Sequence, residues 1–231
     1  MKVAVIVFPG SNCDRDCLDV VRDVVGASVQ PVWHRDTALP PVDLVILPGG
    51  FSYGDYLRTG ALAASSPVMN AVRAHADRGG LVLGICNGFQ ILIEAGLLPG
   101  ALLRNASLRF VCRVVGVRVE RTDTPFTTRY VAGQILALPI AHADGAYWAN
   151  PQTLRQLRDE GRVIFRYAAL HGGSEAEVNP NGSIDGIAGI CNQTRNILGL
   201  MPHPERASET RLGGQDGLAL FQSAVDSLCG A

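Results

Sequence analysis

Cys86 stands between two glycines in the segment GICNG at residues 84–88. The segment follows a wholly apolar run at residues 81–85 and precedes a stretch of helical periodicity at residues 89–95. A sharp strand–turn–helix junction of this kind holds a nucleophile in a strained backbone conformation, and flanking glycines keep Cβ atoms out of the turn. The following helix N-terminus also favours thiolate over thiol. The segment predicts a nucleophilic cysteine, although glycines beside a buried cysteine also permit close strand–helix packing.

His203 and Glu205 follow another apolar run, at residues 197–201, in the segment MPHPE. Ligands of open α/β sheets bind at the carboxyl ends of the strands, so His203 is expected to meet Cys86 there. In an extended segment, residues two apart point the same way, which lets Glu205 approach the histidine ring. An isolated HPE segment is more typical of a turn histidine beside a solvated glutamate. Combined with the cysteine junction, it predicts a base and its orienting carboxylate.

A third strand end carries the segment VILPGG at residues 45–50. Two glycines allow a backbone N–H group to turn toward a neighbouring site, as an oxyanion hole requires. An ordinary strand-ending turn is the alternative. Because three such segments end three strands, we interpret them as parts of one site.

The elements that must position these segments alternate between short apolar runs and amphipathic helical stretches. This alternation is typical of βαβ units and a largely parallel sheet, and thus of the α/β class. Two longer strands in the middle of the chain predict a mixed or antiparallel second half. Leu18, Val21, Val24 and Val25 share one face of a first helix. The predicted strands cover residues 2–8, 28–33, 44–47, 81–85, 111–120, 130–140, 163–167, 187–191 and 197–201, and further helices cover residues 68–76, 89–95, 151–160 and 218–227.

The composition narrows the function classes. The 231 residues are 47% hydrophobic and 18% charged, which is enough apolar material for one large core, and we expect one domain over residues 1–231. A formal net charge of −1 leaves no surplus to neutralise phosphates, so nucleic acid is not an expected partner. No run approaches the roughly 18 apolar residues of a membrane span. We therefore expect a soluble, cytoplasmic protein without a membrane partner.

The remaining cysteines and histidines predict no metal site. Six cysteines are spread through apparent helices and strands, unlike a disulfide framework, which indicates reduced thiols. Cys13 and Cys17 have one-turn spacing, but no second Cys/His pair lies nearby in the sequence to complete a tetrahedral site. The polar neighbours of three histidines predict surface positions for His34, His75 and His171.

The chain resembles the class I, triad-type glutamine amidotransferases. The resemblance rests on GICNGFQ at residues 84–90 and MPHPER at residues 201–206, and it spans nearly the whole chain through FPGSNCD at residues 8–14, LPGGFSYGDYLRTGA at residues 47–61 and NPNGS at residues 179–183. The long string at residues 47–61 is far more specific than the triad, since it separates one branch of the family from the others.

The resemblance implies a flavodoxin-like three-layer fold, with a mostly parallel central sheet, helices on both faces and some antiparallel strands in the second half. It also implies a mechanism in which Cys86 attacks the carboxamide of glutamine, ammonia departs and water hydrolyses the glutamyl thioester. His203 would move the protons and Glu205 would orient its ring. The other implied site residues are the oxyanion-hole amides of Gly50 and Asn87 and the substrate contacts Gln90, Arg109 and Phe110.

The resemblance implies that this chain is the glutaminase component of an ATP-dependent carbon–nitrogen ligase. Ammonia would pass to a separate synthetase subunit that converts formylglycinamide ribonucleotide to formylglycinamidine ribonucleotide in purine biosynthesis, in a complex with a small accessory subunit. No cofactor is expected in this chain, because ATP and magnesium would bind the synthetase. Weak glutaminase activity is expected of the isolated chain.

One segment departs from the family pattern, and two other functions compete. The usual HGEG stretch reads HADG at residues 142–145, which leaves the role of Asp144 open. Two interpretations of His142 are open. It lies beside the active site or contacts the partner, or it is a hydrogen-bonded histidine at a strand end. The competing functions are a cysteine hydrolase of another substrate and a docking subunit without catalysis. The intact Cys86, His203 and Glu205 argue against the second.

Overall fold

The computed structural model describes residues 1–170 and 178–229, and for Cys229 it describes only the backbone, at the end of a helix. His171 lies outside the described residues. The strands are β1 Lys2–Val7, β2 Ser28–Trp33, β3 Leu44–Leu47, β4 Leu81–Ile85, β5 Ala101–Leu103, β6 Val111–Val119, β7 Ile135–His142, β8 Ala146–Trp148, β9 Val163–Ala168, β10 Ile187–Cys191 and β11 Ile197–Leu200. The helices are α1 Asp14–Asp19, α2 Ala61–Ala64, α3 Val68–Asp77, α4 Asn87–Glu94, α5 Pro151–Asp159 and α6 Leu218–Cys229.

Nine strands form one mixed sheet in the order β2-β1-β3-β4-β11-β10-β9-β6-β7. The first five strands of this order are parallel, and the last four pair antiparallel, as the sequence predicted for the second half of the chain. All five residues of β4 are buried. Since neighbouring residues of a strand point to opposite faces, β4 must be covered on both sides, which confirms the predicted α/β architecture.

Helices α1, α3 and α4 pack against the parallel half of this sheet. Helix α4 contacts β3, β4 and β11, while α1 contacts β1 and β2. The buried hydrophobic side chains form one cluster, so a single core supports the sheet and its helices. Among the described residues, no helix is long and apolar enough to cross a membrane.

Several element bounds differ from the prediction. The strand expected at residues 130–140 begins only at Ile135, because Tyr130 is held in a preceding turn and its hydroxyl donates to the carbonyl of Asp216 at 2.8 Å. The first helix passes from α1 into a π-helical turn at Val20–Val24. The short sheet of β5 and β8 had no clear sequence signal.

The prediction that His34 and His75 are surface residues was wrong. Both are buried. The Nδ1 atom of His34 lies 2.8 Å from the hydroxyl of Tyr53, and the Nε2 atom of His75 lies 3.2 Å from the carbonyl oxygen of Leu81. Polar sequence neighbours concealed these partners, which make burial of the imidazoles tolerable. Burial lowers the pKa of both rings.

Candidate active site

Three parallel strands end together and bring the three predicted segments to one edge of the sheet. Leu47 of β3 pairs with Gly84 of β4, and Ile85 of β4 pairs with Leu200 of β11. The residues that follow these strands are therefore neighbours, and the backbone N–H of Cys86 donates to the carbonyl of Leu200 at 2.8 Å. The site lies at the carboxyl ends of parallel strands, as α/β topology requires.

Cys86 occupies a strained turn between β4 and α4. Its backbone angles, φ 50° and ψ −104°, lie in a region that residues other than glycine rarely adopt. A Cβ atom on Gly88 would collide with the carbonyl oxygen of Leu47, and one on Gly84 would lie 2.7 Å from the carbonyl oxygen of Gly88. The glycines therefore permit both the turn and the close approach of helix to strand. The Sγ atom of Cys86 lies 3.8 Å from the carbonyl oxygen of Ala141.

His203 and Glu205 form a buried pair beside this turn. The Nδ1 atom of His203 lies 2.6 Å from Oε1 of Glu205. Burial opposes protonation of the ring, but the negative charges of Glu205 and Cys86 outweigh it and raise the pKa of His203 well above its ordinary value. The Nε2 atom is buried without a hydrogen-bond partner among residues 1–170 and 178–229. This arrangement leaves Nε2 available to exchange a proton with the thiol of Cys86.

Cys13 is a second thiol beside the pair, and sequence analysis missed its position. Its Sγ atom and the ligating atoms of His203 and Glu205 all lie within 4.8 Å of one another. The Nη2 atom of Arg206 donates to this Sγ at 3.0 Å. These side chains include types that bind zinc. Because His203 and Glu205 already bond to each other and the Arg206 cation contacts the thiol, the cluster fits support of the histidine better than metal binding.

Gly50 and Asn87, the two predicted oxyanion-hole residues, both lie close to the turn that holds Cys86. Gly50 lines the same pocket as Cys86. Its φ of 137° is a value that glycine adopts readily and other residues rarely do. Asn87 begins α4, so its backbone N–H has no partner inside the helix. The Asn87 side chain accepts a hydrogen bond from the backbone N–H of Ser52 at 3.2 Å, which ties the loop after Gly50 to the helix.

The pocket beside Cys86 contains one of the three predicted substrate contacts, Gln90. It is lined by Gly50, Phe51, Asp55, Thr59, Cys86, Gln90, Ala141, His142, Ala143 and Asp144. The amide of Gln90 is engaged, since its Nε2 donates to the carbonyl of Asp144 at 2.6 Å. Arg109 and Phe110 are exposed and do not line this pocket, although the Phe110 ring lies 6.3 Å from that of Phe51.

His142 satisfies both alternatives that the sequence left open. It ends β7, is buried, and its Nδ1 atom lies 3.1 Å from Oδ1 of Asn105. It also lines the pocket beside Cys86. Asp55 in the same pocket was not singled out by sequence analysis, although it lies within the matched string at residues 47–61. That string was the available signal.

The sequence of the chain matches a family of known proteins over most of its length. Residues 1–215 match the family of CobB/CobQ-like glutamine amidotransferase domains. The chain is similar to the phosphoribosylformylglycinamidine synthase subunit PurQ of Acaryochloris marina, with 56% identity over 228 residues that cover 99% of this chain and 97% of the relative. The same subunit of Rhodospirillum rubrum is 57% identical over 229 residues, which cover 99% of this chain and all of the relative.

Solved structures extend the comparison to the fold. A chain in the structure of PurLQS from Thermotoga maritima superposes with a TM-score of 0.86 and 45% identity, covering 98% of both chains. The glutaminase domain of Trypanosoma brucei CTPS, solved with bound acivicin, has a TM-score of 0.60 over 98% of this chain and 94% of that chain. Its 13% identity supports the fold alone. By the family match over most of its length, this chain belongs to the CobB/CobQ-like glutamine amidotransferases.

Proposed function

We propose that this chain is the glutaminase subunit of a phosphoribosylformylglycinamidine synthase. It hydrolyses glutamine to glutamate and ammonia, and a synthetase subunit uses the ammonia to convert formylglycinamide ribonucleotide to formylglycinamidine ribonucleotide in purine biosynthesis. The observation that carries this assignment is 56% identity to such a subunit over 99% of the chain. The convergence of Cys86, His203 and Glu205 at one sheet edge supports it chemically.

The proposed reaction starts from a protonated His203 and a Cys86 thiolate, the pair of states that the raised pKa of His203 favours. The sulfur then attacks the carboxamide carbon of glutamine, and the backbone N–H groups of Gly50 and Asn87 hold the resulting oxyanion. His203 donates its proton to the leaving nitrogen, so that ammonia departs and a glutamyl thioester remains. Water, deprotonated by His203, hydrolyses the thioester to glutamate and regenerates the thiolate. Glu205 stabilises the imidazolium form in both halves of the reaction.

Gln90, Arg109 and Phe110 are the proposed substrate contacts. Only Gln90 lines the pocket beside Cys86, and its amide already bonds to Asp144, so substrate contact through this side chain requires a change of partner. Phe110 is near the pocket through Phe51. Such a rearrangement fits our expectation that the isolated chain is a weak glutaminase and that the loaded synthetase activates it.

The synthetase and a small accessory subunit are the proposed partners. A three-component assembly is consistent with the PurLQS structure that contains a chain 45% identical to this one. This chain needs no cofactor for the triad chemistry, and ATP and magnesium are assigned to the synthetase. A cytoplasmic location and a single domain over residues 1–231 are part of the same proposal.

The test is glutamate release by the purified chain and its Cys86→Ala variant. Each protein is assayed alone and with a synthetase and accessory subunit loaded with ATP and formylglycinamide ribonucleotide. We expect release that depends on the partner and disappears with Cys86→Ala. Equal release by the variant, or none by the parent complex, would leave a hydrolase of another substrate or a docking subunit as the better account.

A further inference from the structure

The pocket beside Cys86 contains hydrogen-bond acceptors that lack donors. Nε2 of His142 and Oδ1 of Asp55 are both buried, and neither has a hydrogen-bond partner in the described parts of the chain. An unpaired buried polar atom costs about 1–3 kcal/mol, so such atoms need an explanation. Two unpaired acceptors in one pocket therefore need donors from outside the described residues.

The hydrogen bonds of Asn105 identify His142 as an acceptor in this pocket. The Nδ2 atom of Asn105 donates to the carbonyls of Arg109 and His142, at 2.9 Å each. Oδ1 of Asn105 is therefore the atom that faces Nδ1 of His142, and Nδ1 must carry the proton. Burial, followed by the charge of His203, lowers the pKa of His142 to about 4. His142 is thus neutral near pH 7, with an unprotonated Nε2.

Two carboxylates add negative charge to the same pocket. Asp55 and Asp144 both line it. Asp144 has a partial counterion, since the Nε atom of Arg104 lies 3.7 Å from its Oδ1. Asp55 has no ion-pair partner among the described residues. A cationic donor on the ligand would satisfy Asp55 and relieve its repulsion with Asp144.

Glutamine carries such a cation a few bonds from its reacting carboxamide. We propose that Asp55 binds the α-ammonium group of glutamine and thereby selects a free amino acid over an amide without that group. The inference rests on the proposed glutaminase function and deepens it.

The backbone around Asp55 fits this role. Tyr53, Asp55 and Leu57 all have positive φ values, of 54°, 56° and 64°. Each of these conformations costs free energy that surrounding contacts must offset, and residues in such conformations cluster at active sites and ligand-binding segments. The loop is tethered to α4, because Arg58 at its end forms an ion pair with Glu94.

The test compares glutamine with glutaramate, which is glutamine without its α-amino group. Release of glutamate or glutarate is measured for the assembled, loaded complex containing the parent chain or Asp55→Asn. We expect Asp55→Asn to lower kcat/KM for glutamine about 10- to 100-fold, mainly through KM, as loss of a charged hydrogen bond predicts. The value for glutaramate should change less than threefold. Where glutaramate turns over too slowly, its inhibition constant against glutamine provides the same comparison.

Two further variants separate binding from loop structure. Asp55→Glu keeps the charge and should retain part of the preference for glutamine. Glu94→Gln weakens the tether to Arg58 outside the pocket and should affect both compounds equally, leaving their ratio unchanged. Equal losses for both compounds in Asp55→Asn, or an unchanged KM for glutamine, would overturn the inference. A parent complex that releases no glutamate would instead contradict the proposed function.

Discussion

Nδ1 of His203 lies 2.6 Å from Oε1 of Glu205, and both side chains are buried from solvent. The short contact fixes the orientation of the ring and places the proton on Nδ1 whenever the ring is neutral. Nε2 is then the basic nitrogen, and it is the atom without a partner in the described structure. One carboxylate thus determines which nitrogen can accept the thiol proton.

Glu205→Gln should lower kcat for glutamate release by roughly 100-fold or more. A glutamine amide can donate to Nδ1, which would move the ring proton to Nε2 and remove the base from the thiol. Steady-state assays of the loaded complex measure the effect. Glu209→Gln provides the control, because Glu209 pairs with Arg211 outside the triad. A Glu205→Gln variant within threefold of the parent would show that the carboxylate does not control the ring.

Gly88→Ala should destabilise the protein by about 3 kcal/mol or more. Its Cβ atom would collide with the carbonyl oxygen of Leu47, and neither the strand nor α4 can move without disturbing the buried core. Urea unfolding followed by circular dichroism provides the measurement. Gly214→Ala is the matched control, since its Cβ atom would meet nothing within 4 Å, and its stability should change by less than about 0.5 kcal/mol. Equal midpoints for the two variants would contradict the packing argument.

The strand ends were predictable because their signals are local. The run at residues 81–85 is apolar throughout and lies at the sheet centre as β4, and the glycines around Cys86 serve the predicted turn. The late start of β7 was not predictable, because Tyr130 bonds to Asp216, a contact distant in sequence. The position of Cys13 beside His203 could not be predicted for the same reason, because the two residues are distant in sequence and meet only in the tertiary fold. Spacing along the chain carries no information on such contacts.

Cys13→Ala should retain at least one-tenth of the parent glutaminase activity, whereas Cys86→Ala should have none. Burial raises the pKa of the Cys13 thiol, despite the opposing effect of His203, so it is a poor nucleophile at neutral pH. Its replacement removes a neighbour of His203 but leaves the Glu205 contact in place. Glutamate release by both variants in the loaded complex tests this. Complete loss in Cys13→Ala would make Cys13 a participant in the chemistry.

Asp55→Asn should increase stability at pH 8 while it impairs glutamine binding. Burial, followed by the charge of Asp144, raises the pKa of Asp55 to about 6, above its ordinary value of 3.8. A raised pKa in the folded state means that folding favours the protonated carboxyl group. The contribution of this group to protein stability is therefore complete below pH 3.8 and is lost as the pH rises through 6. Above pH 6 the parent protein must hold a charged, partly buried carboxylate that the variant lacks.

We expect the variant's advantage in the free energy of unfolding to be about 1 kcal/mol at pH 8, after allowance for the partial exposure of Asp55. It should shrink toward zero near pH 4, where both side chains are neutral. Urea unfolding at the two pH values measures the difference, and Asp77→Asn, at the end of α3, controls for general charge effects. Because this readout needs no substrate, it separates the electrostatic strain at Asp55 from catalysis. A variant less stable than the parent at pH 8 would indicate that the Asp55 carboxylate stabilises the loop, and would argue against a role in binding a ligand.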